Sequence, residues 1–173
     1  AHKMDSIIFD KTGTITKGKP DVTDILSFGE DRNEILRIAA SVEKTSEHPL
    51  GEAIVKKAEE EGLDLSEAES FSAVPGKGLQ ASFEGREVLI GNRRLMNENK
   101  VDLTDKERQI EKLEREGKTA MLLAVDKKLA GIIAVADGIK ETSQAAIKEL
   151  QDMGLKVFMI TGDNERTARA IGA

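Results

Sequence analysis

Cysteine, tryptophan and tyrosine are all absent from this chain of 173 residues. Without cysteine there are no disulfides and no thiolate metal sites, which fits a reducing compartment. Five phenylalanines and two histidines are therefore the only rings that could stack on a nucleobase. No apolar run approaches the roughly 20 residues that a membrane helix requires, and no signal peptide is visible.

Charge excludes a further class of function. The chain has 32 acidic and 26 basic residues, a net charge of −6, and both signs are interspersed along it. Nothing in this pattern suggests a nucleic-acid surface. A composition of 39% hydrophobic and 34% charged residues is typical of a soluble globular protein, long enough for one sizeable domain or two small ones.

The most informative stretch is Asp10-Lys11-Thr12-Gly13-Thr14, which follows directly after the apolar run Ile7-Ile8-Phe9. The run predicts a buried strand, and the aspartate would stand at its carboxyl end, where open α/β sheets place their chemistry. A carboxylate beside a lysine and a turn of free N–H groups can act as a nucleophile toward a phosphoryl group. An ordinary strand-end aspartate is the alternative, which a match of five consecutive residues disfavours.

The remaining chain alternates between helical and strand periodicity. Asp31 with Glu34, and Thr104 with Glu107, have the spacing of capping boxes, and Pro49 suits the first turn of a helix that Gly62 ends. Residues 17–20 are predicted to be an irregular connector. The predicted helices begin at 31, 49, 93, 104, 142 and about 165, and the predicted strands are 7–9, 22–26, 72–74, 78–83, 87–90, 121–125, 129–135 and 156–160.

The order of these elements predicts an inserted domain. The first strand and the unit of helix, strand and loop after residue 136 are of the doubly wound, parallel type, whereas the segment between them is mixed and antiparallel. We therefore divide the chain into residues 1–22, 23–131 and 132–173, in which the two outer parts together form one domain. A single continuous α+β domain is the alternative.

A second motif, Thr161-Gly162-Asp163-Asn164, stands at the predicted carboxyl end of strand 156–160. If that strand is parallel to the first, the motif and Asp10 face one cleft. A phosphoryl group there would meet the Asp10 carboxylate, the Thr161 hydroxyl and the Gly162 N–H. Mg²⁺ would also be needed, held by Asp10 and further oxygens.

Thr12 carries information about the type of reaction. Phosphatases of this general design have a second aspartate two residues after the nucleophile, which protonates the leaving group and then activates water. Threonine cannot act as an acid or base near neutral pH. The phosphoaspartate is therefore expected to persist, which suits an enzyme that uses the intermediate, as a pump does.

These motifs together resemble the P-type ATPases, within the haloacid-dehalogenase-like superfamily. The segments 10–14 and 161–164 resemble the phosphorylation motifs of that family, and Ser46-Glu47-His48-Pro49-Leu50 is similar to the hallmark of its heavy-metal-transporting branch. Residues 75–78 and Gly91-Asn92 resemble further nucleotide-contacting segments of that branch. The resemblance covers essentially the whole chain in the expected order.

The resemblance implies a fold and a site. The fold would be a haloacid-dehalogenase-like, doubly wound parallel sheet, the partial phosphorylation domain, with an inserted α+β nucleotide-binding domain built on an antiparallel sheet. ATP would phosphorylate Asp10, with Mg²⁺ at Asp10 and Thr12, and Asp137 and Lys140 would belong to an element between the domains. The implied catalytic residues are Asp10, Thr12, Thr161, Gly162 and Asp163, and the implied ATP-binding residues are Glu43, His48, Gly76, Gly78, Leu79, Gly91 and Asn92.

Simpler interpretations exist for parts of this set. A glycine pair such as Gly76 and Gly78 lets backbone approach a ligand closely, but by itself it is more typical of a plain hairpin. His48 before a proline can be only a helix cap. Glu43 would accept a hydrogen bond from the adenine amino group. Gly117-Lys118-Thr119 is not a P-loop, since Lys112 occupies the upstream glycine position.

The expected function is that of the ATP-binding and phosphorylation region of a membrane heavy-metal export ATPase, with copper favoured over zinc or cadmium. The chain ends before the family's next aspartate-containing loop, so we expect a soluble cytoplasmic fragment that binds nucleotide with little or no turnover. Its partners would be the actuator and transmembrane domains of the parent pump. The alternatives are a phosphatase of the same superfamily, which Thr12 disfavours, and a non-catalytic nucleotide-binding module.

Overall fold

The computed structural model describes residues 5–160, which form two separate sheets and five α-helices. Within this range no helix is both long and apolar enough to cross a membrane. The strands are β1 (Ser6–Asp10), β2 (Thr16–Ser27), β3 (Ser70–Val74), β4 (Gly78–Phe83), β5 (Arg86–Gly91), β6 (Thr119–Val125), β7 (Lys128–Ile139) and β8 (Lys156–Ile160). The helices are α1 (Arg32–Glu43), α2 (Pro49–Glu60), α3 (Arg93–Glu98), α4 (Glu107–Arg115) and α5 (Glu141–Asp152).

The smaller sheet pairs the first described strand with the last. β1 and β8 are parallel, as the sequence predicts, and the structure places Ser6 opposite Lys156 and Asp10 opposite Ile160. Full burial of these strands is wrong, however, because Ile8 is 61% exposed and Phe158 is 52% exposed. Two strands and α5 offer too little surface, within the described residues, to cover both faces of this sheet.

The larger sheet has six antiparallel strands in the order β2-β7-β6-β5-β4-β3. Two of its hairpins turn through two residues each, Glu84-Gly85 and Asp126-Lys127, and all four residues have positive φ, between 48° and 71°. Such turns match the right-handed twist of the flanking strands. The hairpins predicted at both places are confirmed.

Alternating side chains of this sheet form a core on each face. α1 and α2 pack on one face, against residues that include Phe83, Ile90 and Ile133. α3 and α4 pack on the other face, against residues that include Leu122 and Ile132. The side-chain period of two in β-strands explains why neighbours such as Ile132 and Ile133 belong to different cores.

Of the two predicted N-terminal caps, Asp31 and Thr104, the first is present and the second is not. The Asp31 carboxylate accepts from Asn33 N at 2.8 Å at the start of α1. Thr104 does not cap α4, which begins at Glu107 after a short 3₁₀ turn. The acceptor is instead Asp102, whose carboxylate binds both the N–H and the hydroxyl of Thr104.

The connector predicted at residues 17–20 is wrong, because these residues belong to β2. The strand is irregular there, with a register shift between Thr16 and Pro20, and Gly18 has a φ of 71°. β2 and β7 each have 12 residues and pair with one another from Thr16 to Ser27. Both predicted domain boundaries, 22/23 and 131/132, fall inside this strand pair, and the division into domains stays a prediction.

Candidate functional site

Asp10 lies at the carboxyl end of β1 with an exposed side chain. The chain then turns through Lys11–Ile15, where Gly13 has a φ of 75° and Thr12 is exposed. Because Asp10 pairs in parallel with Ile160, the chain leaves β1 and β8 at the same edge of the sheet. The predicted site residues Thr161, Gly162 and Asp163 follow Ile160 directly and lie outside the described residues.

The turn after Asp10 is anchored to Asp137 of β7. The hydroxyl of Thr16, a fully buried residue, donates to Asp137 Oδ2 and accepts from Gly13 N at 3.3 Å. Gly18 N and Lys19 N also donate to the Asp137 carboxylate, at 3.1 and 3.2 Å. Three donors therefore meet one carboxylate, which fixes the irregular start of β2 against β7.

Lys140, three residues after Asp137, completes this anchor. Its backbone N–H donates to Ile15 O at 3.0 Å, and its ammonium group donates to Gly13 O. Lys140 thus holds the second half of the turn that follows Asp10, and Asp137 holds the start of β2. Sequence reasoning expected them between the domains but missed Thr16, for which the linear pattern gives no signal.

The predicted magnesium ligands, Asp10 and Thr12, supply too few oxygens for a complete site. Among residues 5–160 no three Asp, Glu, His or Cys side chains are grouped closely enough to hold a metal ion. An exposed carboxylate beside an exposed turn still suits a hard cation, which prefers oxygen ligands and retains waters.

The predicted nucleotide residues form two groups, Glu43 with His48 between α1 and α2, and the segments around Gly78 and Gly91 at one end of the β4-β5 pair. In the middle of α1, Arg37 forms an ion pair of 2.9 Å with Glu84, in the turn between β4 and β5. Glu43, the last residue of α1, lies about 9 Å further along the helix axis, at 1.5 Å per residue. At the end of the β4-β5 pair opposite that turn, β4 begins at Gly78 and β5 ends at Gly91.

Glu43 is a buried carboxyl group with an unsatisfied oxygen. The residue is 3% exposed, and Oε2 has no hydrogen-bond partner. Burial raises the pKa of the Glu43 carboxyl, and a hydrogen bond from the Ser46 side chain opposes this rise. Oε2 occupies the space beside Gly51, where a Cβ would lie 2.4 Å from it. A buried acceptor without a partner is the feature that a ligand donor would satisfy.

His48 caps α2, as the simpler interpretation predicted. Its Nδ1 accepts from Leu50 N at 3.2 Å, and Pro49 occupies the first helical position. An accepting Nδ1 places the ring proton on Nε2, so this exposed imidazole keeps one N–H donor. Capping and ligand binding are therefore compatible in His48.

The glycines of β4 and β5 are required by the backbone itself. Gly78 and Gly91 pair across the two strands, and a Cβ on Gly78 would lie 2.1 Å from Ile90 O. A Cβ on Gly91 would lie 2.1 Å from Lys77 O. At this end of the strand pair the two backbones are so close that neither position has room for a Cβ atom.

Asn92 and Gly76 lie at the same end of the strand pair as Gly78 and Gly91. The side chain of Leu79 is buried and is not at the surface there. The Asn92 side chain donates to Gly76 O at 3.0 Å and caps α3 by accepting from Arg94 N. Leu79 is 3% exposed and packs in the core beneath α1 and α2. Only the backbone of Leu79 is thus in a position to meet a ligand.

Two shallow cavities lie elsewhere on the described surface. One, of about 330 Å³, is lined by residues of β3, β4 and β5 such as Gln80 and Glu87. The other, of about 400 Å³, lies beside α3 and α4 and is lined by Arg93, Asp102 and Glu107 among others. Neither cavity is lined by a predicted nucleotide residue.

The known proteins with similar sequences are haloacid dehalogenase-like hydrolases and, among them, P-type ATPases. The family described as haloacid dehalogenase-like hydrolase matches residues 4–173. A copper-exporting P-type ATPase of Staphylococcus saprophyticus is 47% identical over 170 residues, which are 98% of this chain and 21% of that protein. A probable copper-exporting P-type ATPase of Archaeoglobus fulgidus is 51% identical over 172 residues, 99% of this chain and 21% of that protein. The chain thus spans about a fifth of the curated relatives it matches.

The solved structures similar to this chain also come from P-type ATPases. A zinc-transporting PIB-type ATPase in an E2.Pi state has a TM-score of 0.73 and 38% identity, covering 98% of this chain and 28% of that one. The N-domain of HMA8, a copper-transporting P-type ATPase, has a TM-score of 0.58 and 30% identity, covering 66% of this chain and 98% of that one. These matches confirm the predicted fold class.

Proposed function

Since the chain belongs to the haloacid dehalogenase-like hydrolases and, within them, to the P-type ATPases, we propose that it is the ATP-binding and phosphorylation region of a heavy-metal export pump. In this proposal ATP transfers its γ-phosphoryl group to Asp10, and the resulting phosphoaspartate drives ion transport. Copper is the proposed ion, because the relatives of about 50% identity are named as copper exporters.

One observation carries the proposal: the strand ends at Gly78 and Gly91 and the turn that follows Asp10 lie at the same end of the large sheet. Gly91 pairs with Leu122, and Leu122 pairs with Ile132 of β7. From Ile132, β7 continues beyond the ends of β4 and β5 to Ile139, next to the turn that follows Asp10. A nucleotide held at Gly78 and Gly91 would therefore lie at the same end of the sheet as the proposed phosphoryl acceptor, Asp10.

The transfer itself needs little from the protein beyond position. A bond forms between an Asp10 carboxylate oxygen and the γ-phosphorus while the bond to the bridging oxygen breaks, and ADP leaves. Mg²⁺, when bound by Asp10 and Thr12 with the phosphates, would neutralise the charge on the transferred group. Thr12 offers no general base for hydrolysis, so the acyl phosphate would persist until another domain of the pump acts.

The nucleotide pocket is proposed on two groups of residues, one at the junction of α1 and α2 and one at the Gly78–Gly91 end of the β4-β5 pair. The unpartnered Glu43 Oε2 would accept from the adenine amino group, and His48 would offer its Nε2–H. Gly76, Gly78, Gly91 and the backbone of Leu79 would allow close approach, together with Asn92. The actuator and transmembrane domains are the proposed partners, and the proposed location is the cytoplasmic side of a membrane pump.

Two variants of His48 test the pocket, because they separate capping from binding. His48→Ala removes the cap and the imidazole, whereas His48→Asn keeps a good helix cap and removes only the imidazole. By calorimetric titration we expect both variants to bind ATP about tenfold or more weakly, since one good polar contact contributes ~1–3 kcal/mol. His48→Asn should melt close to the wild type, and unchanged ATP affinity in that variant would contradict the pocket.

Phosphorylation is tested in the longer protein that contains this chain. γ-Labelled ATP should give an acid-stable, hydroxylamine-labile label that Asp10→Asn abolishes. ATP binding without any such label would favour a non-catalytic nucleotide module. Rapid turnover of p-nitrophenyl phosphate by this chain would favour a phosphatase.

A further inference from the structure

Two basic residues stand next to the paired glycines of β4 and β5 in the chain. Lys77 directly precedes Gly78, and Arg94 follows Gly91 by three positions, in the first turn of α3. The loop that carries Lys77 is fixed at this place, because Lys77 O accepts from Asn92 N at 2.8 Å. The backbone of Lys77 is therefore held beside both strand ends.

Both basic side chains contact one carboxylate, that of Glu98, the last residue of α3. Lys77 Nζ lies 2.6 Å from Glu98 Oε2, and Arg94 Nε lies 3.6 Å from Glu98 Oε1. The hydrogen bond from the Lys77 ammonium lowers the pKa of the Glu98 carboxyl group, so Glu98 is ionised at neutral pH. One carboxylate neutralises only one of the two cations, and an excess of positive charge remains at this end of the strand pair.

The contact between Lys77 and Glu98 is of a kind that a second anion can replace. The Lys77 side chain is 24% exposed and that of Glu98 is 48% exposed. Ion pairs in contact with water contribute little to stability, so breaking one costs little. Lysine carries its ammonium group on a flexible four-carbon stem, and Lys77 is bonded directly to Gly78. The same ammonium group can therefore serve Glu98 or an anion bound beside Gly78.

We propose that Glu98 competes with the phosphate groups of ATP for the Lys77 ammonium group, and that it thereby limits the affinity of the site for the phosphate chain. The inference rests on the proposed function, since it concerns the charged part of the same ligand. The chain has a net charge of −6, so a polyanion gains from a local excess of positive charge. Phosphate oxygens also form stronger hydrogen bonds with an ammonium group than neutral acceptors do.

Competition by Glu98 predicts the opposite result from a supporting role of Glu98. If Glu98 competes, removing its charge frees Lys77 and strengthens the binding of ATP. If Glu98 instead positions Lys77 for the ligand, removing its charge weakens that binding. Adenosine has no phosphate group, so its binding should not respond in either case.

The experiment titrates ATP and adenosine by calorimetry into the wild-type chain, Glu98→Gln and Lys77→Gln. Glu98→Gln should bind ATP about two- to fivefold more tightly, the range that release of an exposed ion pair allows. Lys77→Gln should bind ATP about threefold or more weakly, since a charge-assisted hydrogen bond is lost. Both variants should bind adenosine as the wild type does, and the gain in Glu98→Gln should shrink at high salt.

Glu84→Gln is the matched control for the change of charge. The Glu84 carboxylate pairs with Arg37 at 2.9 Å, is 46% exposed and lies in the turn at the opposite end of the β4-β5 pair. This variant changes the net charge by the same amount and should leave the ATP affinity unchanged. The double variant of Lys77→Gln and Glu98→Gln should bind ATP little more tightly than Lys77→Gln, since competition needs both groups. Thermal melts show whether each variant is folded at the temperature of the titration.

The outcomes separate the inference from the proposed function. Failure of the wild type to bind ATP would overturn the proposed function and this inference with it. ATP binding by the wild type, with unchanged or weaker binding in Glu98→Gln, would overturn the inference alone. So would an equal gain in Glu84→Gln, which would indicate an effect of net charge, or an equal gain for adenosine, which would indicate an effect unrelated to phosphate.

Discussion

Replacing Gly78 by alanine tests the close approach of β4 and β5 directly. Gly78 has a φ of 139°, which residues with a side chain rarely adopt. The added Cβ would also lie 2.1 Å from Ile90 O and 2.5 Å from the Cα of Gly91. Both obstacles are backbone atoms, so no rotation of a side chain can relieve the overlap.

The expected loss of stability follows from these two effects. Backbone strain at such a φ costs about 1–3 kcal/mol, and overpacking against a rigid neighbour costs about 1–3 kcal/mol more. Gly76 is the matched control in the same turn, because its φ is 70° and a Cβ there would meet nothing within 4 Å. Gly76→Ala should therefore cost only about 1–2 kcal/mol.

The assay is urea unfolding of the two variants and the wild type, followed by circular dichroism. Gly78→Ala should lose about 2–6 kcal/mol, the sum of these two effects, which is more than Gly76→Ala should lose. Gly91→Ala opposes the same contact from the other strand, so its effect should not add fully to that of Gly78→Ala. Equal stability of the Gly78 and Gly76 variants would refute the close approach and leave nucleotide contact as the reason for Gly78.

Three further predictions concern single carboxyl groups. Glu43→Gln should raise the melting temperature at pH 7 but not below about pH 4. Burial raises the pKa of Glu43 in the folded state, so the folded chain has its full stability below the ordinary pKa of 4.5, where the carboxyl group is neutral. It loses stability as the pH rises through the folded-state pKa and the group becomes charged. An unchanged difference across melts from pH 4 to 8 would contradict this. Asp137→Asn should lower the free energy of unfolding in urea by ~1–3 kcal/mol, because one amide oxygen replaces two carboxylate oxygens as acceptor for the donors of Thr16, Gly18 and Lys19. Wild-type stability of this variant would contradict the anchoring role of Asp137. Asp10→Asn should shift the melting temperature by no more than about 2 °C, since Asp10 is exposed, and a larger loss would indicate a structural role.

Local features of this fold were predictable because they depend on neighbouring residues. Glu84-Gly85 forms a hairpin turn through its own backbone angles, and Pro49 starts a helix because its missing N–H has no partner to lose. The errors have equally physical causes. Thr104 looked like a cap, but Asp102 two residues earlier is the stronger acceptor. Residues 17–20 looked like a connector, although Asp137 holds them in a strand from more than 110 positions away.

The sequence by itself determined the chemistry proposed for the site. Asp10 after a short apolar run and Thr12 in place of an acid are properties of consecutive residues, so the family and the type of reaction could be inferred without a structure. The order of helices and strands followed in the same way, from the periods of apolar side chains.

Only the tertiary structure decided how the site is held. The bond from Thr16 to Asp137 joins residues 121 positions apart, and Gly78 meets Gly91 only because β4 and β5 pair in one register. The unsatisfied oxygen of Glu43 likewise arises from burial where α1 and α2 meet. Periodicity reports which face of an element is apolar, whereas these contacts depend on which elements the folded chain brings together.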